Sequence, residues 1–303
     1  MRRVAVLGAG AFGTALAATL ATAGPVALWG RRGVFLLPPG VAAADRTLRP
    51  GDVDLGLVAV PMQALAAFLR EWGAALDGLP LVACCKGIDA ATGLGPVGTI
   101  AAACPGAMPA VLTGPGFAAD LARGLPTAMT LACADGGVGV ALQRRLSTRA
   151  LRLYTTTDTR GAELGGALKN VVALACGVAA GAGLGASAQA AVLTRGFAEM
   201  VRIAVVLGAD PATLTGLSGL GDLVLTATSA QSRNFRHGAA LGRGTEPEGG
   251  TVEGLATARA ADTLARANRI DAPLTATVAR LTAGAITLDE AIRSLMSRPL
   301  KPE

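Results

Sequence analysis

The stretch RVAVLGAGAFGTALAATLATAG, Arg3 to Gly24, decides the fold of the first half of the chain. RVAVL is a short β-branched run that predicts a strand, and TALAATLATAG is a helical pattern that stops at Gly24. Between them, GAGAFG (Gly8 to Gly13) supplies glycine at three positions with separate physical duties. Gly8 permits the tight turn, Gly10 lets the backbone approach a pyrophosphate, and Gly13 lets helix and strand pack closely. The helix N-terminus, with its unpaired N–H groups, then faces an anion. Strand, glycine turn and helix in this order predict a dinucleotide-binding unit.

Working outward, Val26 to Trp29 is the next strand and delivers Gly30-Arg31-Arg32 to the edge of the same crevice. Paired guanidiniums suit a ribose 2′-phosphate, whereas an acid there would suit free ribose hydroxyls, so the pair favours NADPH over NADH; the alternative is two solvated arginines. Gly33 to Asp54 is short and irregular, with a weak pattern for a crossover helix. Strands follow at Leu55–Val60, Leu79–Cys84, Ala110–Leu112 and Thr127–Cys133, with a helix in MQALAAFLREW, a short one after the GPGFA turn, and one closing over Gln143–Arg149. LRLYTTTD is a last strand and linker. Lys86 directly follows Cys84-Cys85 at the end of a parallel strand, where doubly wound sheets bind their ligands.

Near residue 160 strands give way to helices. GAELGGALKNVVALACGVAAGAGLG, Gly161 to Gly185, repeats apolar residues at three- and four-residue spacing and carries no proline. So apolar a helix must be buried, yet it holds Glu163, Lys169 and Asn170. An unpaired buried ammonium costs on the order of several kcal/mol. Among 27 Lys and Arg residues only Lys86, Lys169 and Lys301 are lysine, and Lys301 lies in the C-terminal tail. Arginine keeps its proton, whereas a buried lysine can exchange one near neutral pH, so Lys169 is a candidate for acid/base work. The alternative is a structural lysine paired with Glu163 or a helix end. A second long helix, Ala188 to Leu207, carries Thr194, Arg195 and Glu199. GLSGLGDLVLTATSAQSRNF then gathers Asp222, Thr226, Ser232, Arg233 and Asn234. Asp222 can orient a lysine or hydroxyl, and Arg233 with Asn234 offers planar donors to a phosphate; a capping loop with a surface arginine is the other reading. His237, the single histidine, reads as a helix-surface residue, and three more helices follow Thr251.

The reading is therefore α/β: an N-terminal Rossmann-type doubly wound sheet (1–159) followed by an all-helical C-terminal domain (160–303). A 51% hydrophobic composition supports a large core, and 3% aromatics with 41 glycines means it is packed from Ala, Val and Leu. The formal charge of +6 is spread over scattered arginines with no basic run longer than two, which favours small anionic ligands over nucleic acid. Five cysteines without zinc-site spacing read as reduced core thiols of a cytoplasmic protein, with no metal. Glycines interrupt every long apolar stretch, so no membrane span is expected.

These motifs resemble the bacterial-type NAD(P)-dependent glycerol-3-phosphate dehydrogenases. The resemblance rests on GAGAFGTALA, Val60-Pro61, KGI at Lys86, GPGFA at Gly114, LKN at Leu168, TRGFAEM at Thr194 and GLSGLGDLVLTATSAQSRN at Gly216, and spans nearly the whole chain. It implies reduction of dihydroxyacetone phosphate to sn-glycerol 3-phosphate, the backbone of phospholipids. Lys169 is then the proton donor in reduction and the acceptor in reverse, oriented by Asp222, with Lys86 against substrate and cofactor. The resemblance puts the substrate at Gly114 and Gly116 and its phosphate at Ser232, Arg233 and Asn234. To the cofactor residues of the turn and the next strand (Gly8, Gly10, Ala11, Gly13, Arg31 and Arg32) it adds Phe12, Ala118, Arg233 and Glu253. A homodimer is expected, the apolar helical half leaving room for an interface.

Three departures stand out. Gly116 lies where the family usually has Ser or Thr, Ser187 where it usually has Asn, and Gly33 to Asp54 is shorter, keeping only Leu37-Pro38-Pro39-Gly40 of a usual helix and loop. They leave open a related reductase of another small phosphorylated or carboxylated ketone, or a cofactor-binding regulatory protein without chemistry.

Overall fold

Val4–Leu7 (β1) is buried along its whole length because it runs through the middle of a sheet covered on both faces. The computed structural model describes residues 3–31, 33, 37–44 and 53–296. After β1 come Ala11–Ala21 (α1), Val26–Trp29 (β2), Val41–Ala43 (β3), Leu55–Val58 (β4), Met62–Leu76 (α2) and Pro80–Ala83 (β5). Pro96–Ala103 (α3), Met108–Thr113 (β6), Ala118–Ala122 (α4), Thr127–Cys133 (β7), Gly136–Leu146 (α5) and Leu151–Thr156 (β8) complete the sheet half. The strand order is β3-β2-β1-β4-β5-β6-β7-β8, parallel except where β7 runs against β6. The order reverses between β1 and β4, which opens the crevice in which such sheets take a ligand.

The glycine turn after β1 behaves as its sequence requires. Gly8 has φ +134°, and a Cβ there would lie 2.5 Å from the Ala59 carbonyl oxygen at the end of β4. A Cβ on Gly13 would fall 1.9 Å from the Gly8 carbonyl oxygen, so α1 starts as close to the strand as backbone permits. The space around Gly10 is empty within 4 Å.

The helical half is assembled around Thr159–Gly181 (α6), whose buried side includes Leu164, Leu168, Val171, Val172 and Leu174. Gly185–Val206 (α7), Pro211–Thr215 (α8), a π-type turn at Leu217–Gly221, Asp222–Ala227 (α9), Arg233–Gly242 (α10), Glu253–Ala267 (α11), Pro273–Thr282 (α12) and Leu288–Met296 (α13) pack about it. Helices α6 and α10 cross at backbone contact: a Cβ on Gly177 or Gly238 would come 2.1 Å from the carbonyl oxygen of Phe235 or Leu174. At the far edge of this half, Glu199 of α7 accepts from the N–H groups of Leu274 and Thr275, closing the otherwise uncapped N-terminus of α12.

The architecture is the expected one, with local differences. The irregular segment after Gly33 holds β3, an edge strand with one buried residue, too short to leave a periodic trace. Helix α3 begins with a proline and lacks a long apolar repeat, and the Gly/Ser/Thr-rich stretch after Gly216 is mostly helical. Despite its glycines α6 is long and apolar enough to cross a bilayer by length and composition, but 83% of its apolar window is buried within the protein. The helix tolerates them because each glycine admits a neighbouring backbone or side chain.

Candidate active site

Three elements bring their charged residues together at the C-terminal edge of the sheet. Lys86, just beyond β5, donates from Nζ to Asp222 Oδ2 at 2.5 Å and to the Gly114 carbonyl oxygen at 3.0 Å. Lys169, on α6, donates to Asp222 Oδ1 at 2.8 Å and to Thr226 Oγ1 at 2.6 Å. The two internal lysines thus share one carboxylate, an oxygen each. Asp222 opens α9, which puts Thr226 one turn on and on the same face. Small residues make the approach possible: a Cβ on Gly165 would lie 2.7 Å from the Ser218 carbonyl oxygen, and one on Gly166 2.5 Å from Thr113 Oγ1. The alternative pairing of Lys169 with Glu163 is overturned, because the Glu163 carboxylate turns away to accept from the Val97 N–H.

The electrostatics follow from burial. Lys169 is 6% exposed and Asp222 1%. Burial lowers the Lys169 ammonium to about 8, against the pull of Asp222, and the neighbouring Lys86 charge pushes the same way. Burial would raise the Asp222 carboxyl, but the two ammonium groups outweigh it and hold it below its ordinary value. Glu253, at the start of α11, is raised by burial, with Lys86, Arg233 and Lys169 drawing it back. Three cations and two carboxyls therefore share this region, an excess of positive charge fitted to an anion.

At the neighbouring N-terminus of α10, Ser232 is the cap, accepting from the Phe235 N–H at 3.2 Å. Arg233 is exposed, whereas Asn234 is buried and committed on both sides: Nδ2 donates to Asn170 Oδ1 at 2.9 Å, and Oδ1 accepts from the Gly254 N–H at 3.0 Å. Asn234 therefore ties α6, α10 and α11 together instead of projecting beside Arg233. Two buried polar atoms close to this cluster have no protein partner, Asn170 Nδ2 and Thr113 Oγ1, as expected where ligand groups complete the bonding. Gly114 has φ +129°, and a Cβ on Gly116 would press against Thr127 Cγ2 at 3.3 Å and Met129 Sδ at 3.4 Å. His237 is half-buried on α10, and burial lowers its pKa.

The cradle for a dinucleotide is present at α1. Its cap residue Gly10 offers no side chain, its first turn carries no acid, and the space beside Gly10 is open. Phe12 and Ala118 pack on one apolar cluster beneath this turn, and Ala11 is exposed above it. Arg31 is exposed just past β2; Arg32 lies outside the described residues. These features fit a pyrophosphate with its nucleoside extending over the end of β2. Among the described residues no cluster of His, Cys, Asp or Glu is arranged for a metal, and all five cysteines are free and buried. Thr113 has no mark in the sequence, whereas Thr226 stands among the polar pocket residues and Asn170 beside Lys169. The i, i+4 spacing of Asp222 and Thr226 and the adjacency of Asn170 to Lys169 were the available signals.

Comparisons with known proteins agree along the whole chain. The family model for the NAD-dependent glycerol-3-phosphate dehydrogenase N-terminus matches residues 3–36 and 35–138, and that for the C-terminus residues 158–293. The glycerol-3-phosphate dehydrogenase [NAD(P)+] of Cereibacter sphaeroides is 62% identical over 304 residues, covering 99% of this chain and 100% of that protein. That of Paracoccus denitrificans is 58% identical, with 99% of each covered. The crystal structure of glycerol-3-phosphate dehydrogenase from Coxiella burnetii superposes with a TM-score of 0.91 at 34% identity, covering 98% of this chain and 99% of that one.

Proposed function

Because the chain belongs to the NAD-dependent glycerol-3-phosphate dehydrogenase family, we propose that it reduces dihydroxyacetone phosphate to sn-glycerol 3-phosphate with NADPH or NADH, in the supply of glycerophospholipid. The observation that carries the mechanism is the pair of buried lysines on the two oxygens of Asp222. When bound, the reduced nicotinamide supplies the hydride. Lys169 meets the negative charge that grows on the ketone oxygen and delivers its proton there, and takes that proton back in oxidation. Asp222 and Thr226 aim the ammonium, and Lys86 adds a second positive charge to the site.

The remaining roles rest on the motifs, supported by the placements of the described residues. Gly8, Gly10, Ala11, Phe12, Gly13, Ala118 and Glu253 hold the cofactor, with Arg31 and Arg32 at a 2′-phosphate and a consequent preference for NADPH. Ser232 and Arg233, at the N-terminus of α10, take the substrate phosphate together with the helix N–H groups; Asn234 fixes that terminus against Asn170, and Gly114 and Gly116 complete the pocket. Residues 1–159 are then the dinucleotide-binding domain, which lends Lys86, Gly114 and Gly116 to the substrate, and 160–303 the substrate and catalytic domain, which lends Arg233 and Glu253 to the cofactor. A homodimer is supported by apolar residues left exposed on and beside α7, among them Leu184, Val205 and Val206, and a cytoplasmic location by five free, buried cysteines.

The test is the loss of nicotinamide absorbance with purified protein and dihydroxyacetone phosphate, NADPH against NADH. Rapid oxidation supports the reading. Oxidation that is equal or faster with a non-phosphorylated ketone would overturn the substrate.

A further inference from the structure

Glu163 lies on α6, six residues before Lys169, and its carboxylate leaves its own half of the molecule. Oε1 accepts from the backbone N–H of Val97 at 2.5 Å, in the first turn of α3. That helix supplies no cap of its own: Gly95 has no side chain, Pro96 has no N–H, and the first turn carries no acid. Glu163 takes the place of the missing cap. Gly95 is shaped to receive it, since a Cβ there would lie 2.7 Å from Glu163 Oε1.

The connection that ends at α3 begins at Lys86, and it is gripped along its length. Gln63 of α2 donates to the Ile88 carbonyl oxygen at 2.8 Å and accepts from the Ala90 N–H at 3.1 Å. Asp89 Oδ1 accepts from the N–H groups of Ala91 and Thr92. Gly87, at φ +140°, is wedged between Met62 and Thr257, where a Cβ would meet both at 3.3 Å. The carboxyl of Glu163 is thus the tie from the helix of Lys169 to the far end of the segment that carries Lys86.

We infer that Glu163 is a positioning residue for the reaction: by capping α3 from α6 it fixes the Lys86-to-Val97 connection and so the alignment of Lys86 with Lys169 on Asp222. The inference deepens the proposed function and rests on it for its kinetic readout. Burial raises the Glu163 carboxyl to about 7, opposed by the Val97 N–H and by Arg160 one turn earlier. Cys85, beside Lys86 and itself far above its ordinary value through burial, is the other titratable group that feels it. Either form of the carboxyl accepts from Val97, so the tie survives the change of charge.

The experiment compares Glu163→Ala and Glu163→Gln with wild type: kcat, KM and their pH profiles, NADPH binding by fluorescence, and thermal stability. Small displacements of catalytic groups cost on the order of 10- to 100-fold, so Glu163→Ala is expected to lose about that in kcat while NADPH affinity, set at the distant β1 turn, holds. Glu163→Gln keeps an acceptor for Val97 and is expected to recover kcat and the wild-type pH profile. Gly95→Ala, which pushes the carboxylate aside, is expected to copy Glu163→Ala. A Glu163→Ala protein of lowered thermal stability but unchanged kcat and KM would overturn the inference, as would a Glu163→Gln protein as slow as Glu163→Ala. Wild-type protein that binds NADPH but does not reduce dihydroxyacetone phosphate would sink the functional reading instead. In that case hydrogen exchange from Lys86 to Val97 decides: raised exchange in Glu163→Ala supports the tie, and unchanged protection overturns it.

Discussion

Lys169 and Asp222 form a buried ion pair, Nζ to Oδ1 at 2.8 Å, in which the carboxylate also serves a second ammonium. Sharing leaves Lys169 only part of the stabilisation that a carboxylate of its own would give, so burial prevails and the ammonium falls to about 8. The same arrangement keeps Asp222 ionised, because its pKa moves the other way.

The directions of catalysis should therefore have mirrored pH dependence. Below about 8 Lys169 is mostly protonated and ready to donate; above it the free amine is ready to accept. We predict that kcat/KM for ketone reduction falls as pH rises through that value, and that kcat/KM for alcohol oxidation rises. Lys169→Ala should lower turnover by about 10²- to 10⁴-fold with little change in cofactor affinity. Parallel pH profiles in the two directions would contradict the assignment.

Asp222→Asn leaves two ammonium groups around a neutral amide in a buried site. Breaking a buried pair in this way costs about 3–5 kcal/mol, and the Lys169 pKa should drop further as its attractive partner disappears. Urea unfolding should show the loss in stability, and the reductive pH profile should shift to lower pH. A profile that stays at the wild-type pH would show that Asp222 does not tune Lys169.

Arg31 lies two residues past the end of β2 and is exposed, open to a group reaching past the strand. Changing Arg31 and Arg32 together to Ala should raise the Kd for NADPH much more than that for NADH, since only NADPH brings a 2′-phosphate for the guanidiniums. Fluorescence titration with both cofactors measures this, and equal weakening would remove the basis for a preference.

Much of this architecture was legible in local patterns. The Gly8–Gly13 turn, the buried strands and the solitary internal lysines each have a local physical signature, and each lies where that signature pointed. The partner of Lys169 was not legible in the local pattern, which offered the nearer Glu163, although Asp222 reads as a residue able to orient a lysine and the resemblance gives it that part; the π-type turn folding back on Gly165 brings it in. Nor was the commitment of Asn234 to Asn170 and Gly254, which depends on three helices meeting. Glu163 read as a candidate partner within its own helix. Its bond to Val97 crosses to α3, a helix whose short, proline-led sequence gave little warning that it existed.

The crossing of α6 and α10 joins stability to substrate binding. Gly177 faces the Phe235 carbonyl oxygen and Gly238 the Leu174 carbonyl oxygen, each so close that an added Cβ would lie 2.1 Å away. Backbone cannot yield as a flexible side chain would, so Gly177→Ala or Gly238→Ala must push the helices apart. Overpacking of this kind costs about 1–3 kcal/mol or more. Because α10 begins with Ser232, Arg233 and Asn234, the same displacement should pull Asn234 from Asn170 and raise the KM for dihydroxyacetone phosphate, while NADPH affinity changes less. Urea denaturation with steady-state kinetics on the folded fraction would measure both effects. A destabilised variant whose KM stayed at the wild-type value would show that the N-terminus of α10 is held by something other than this crossing.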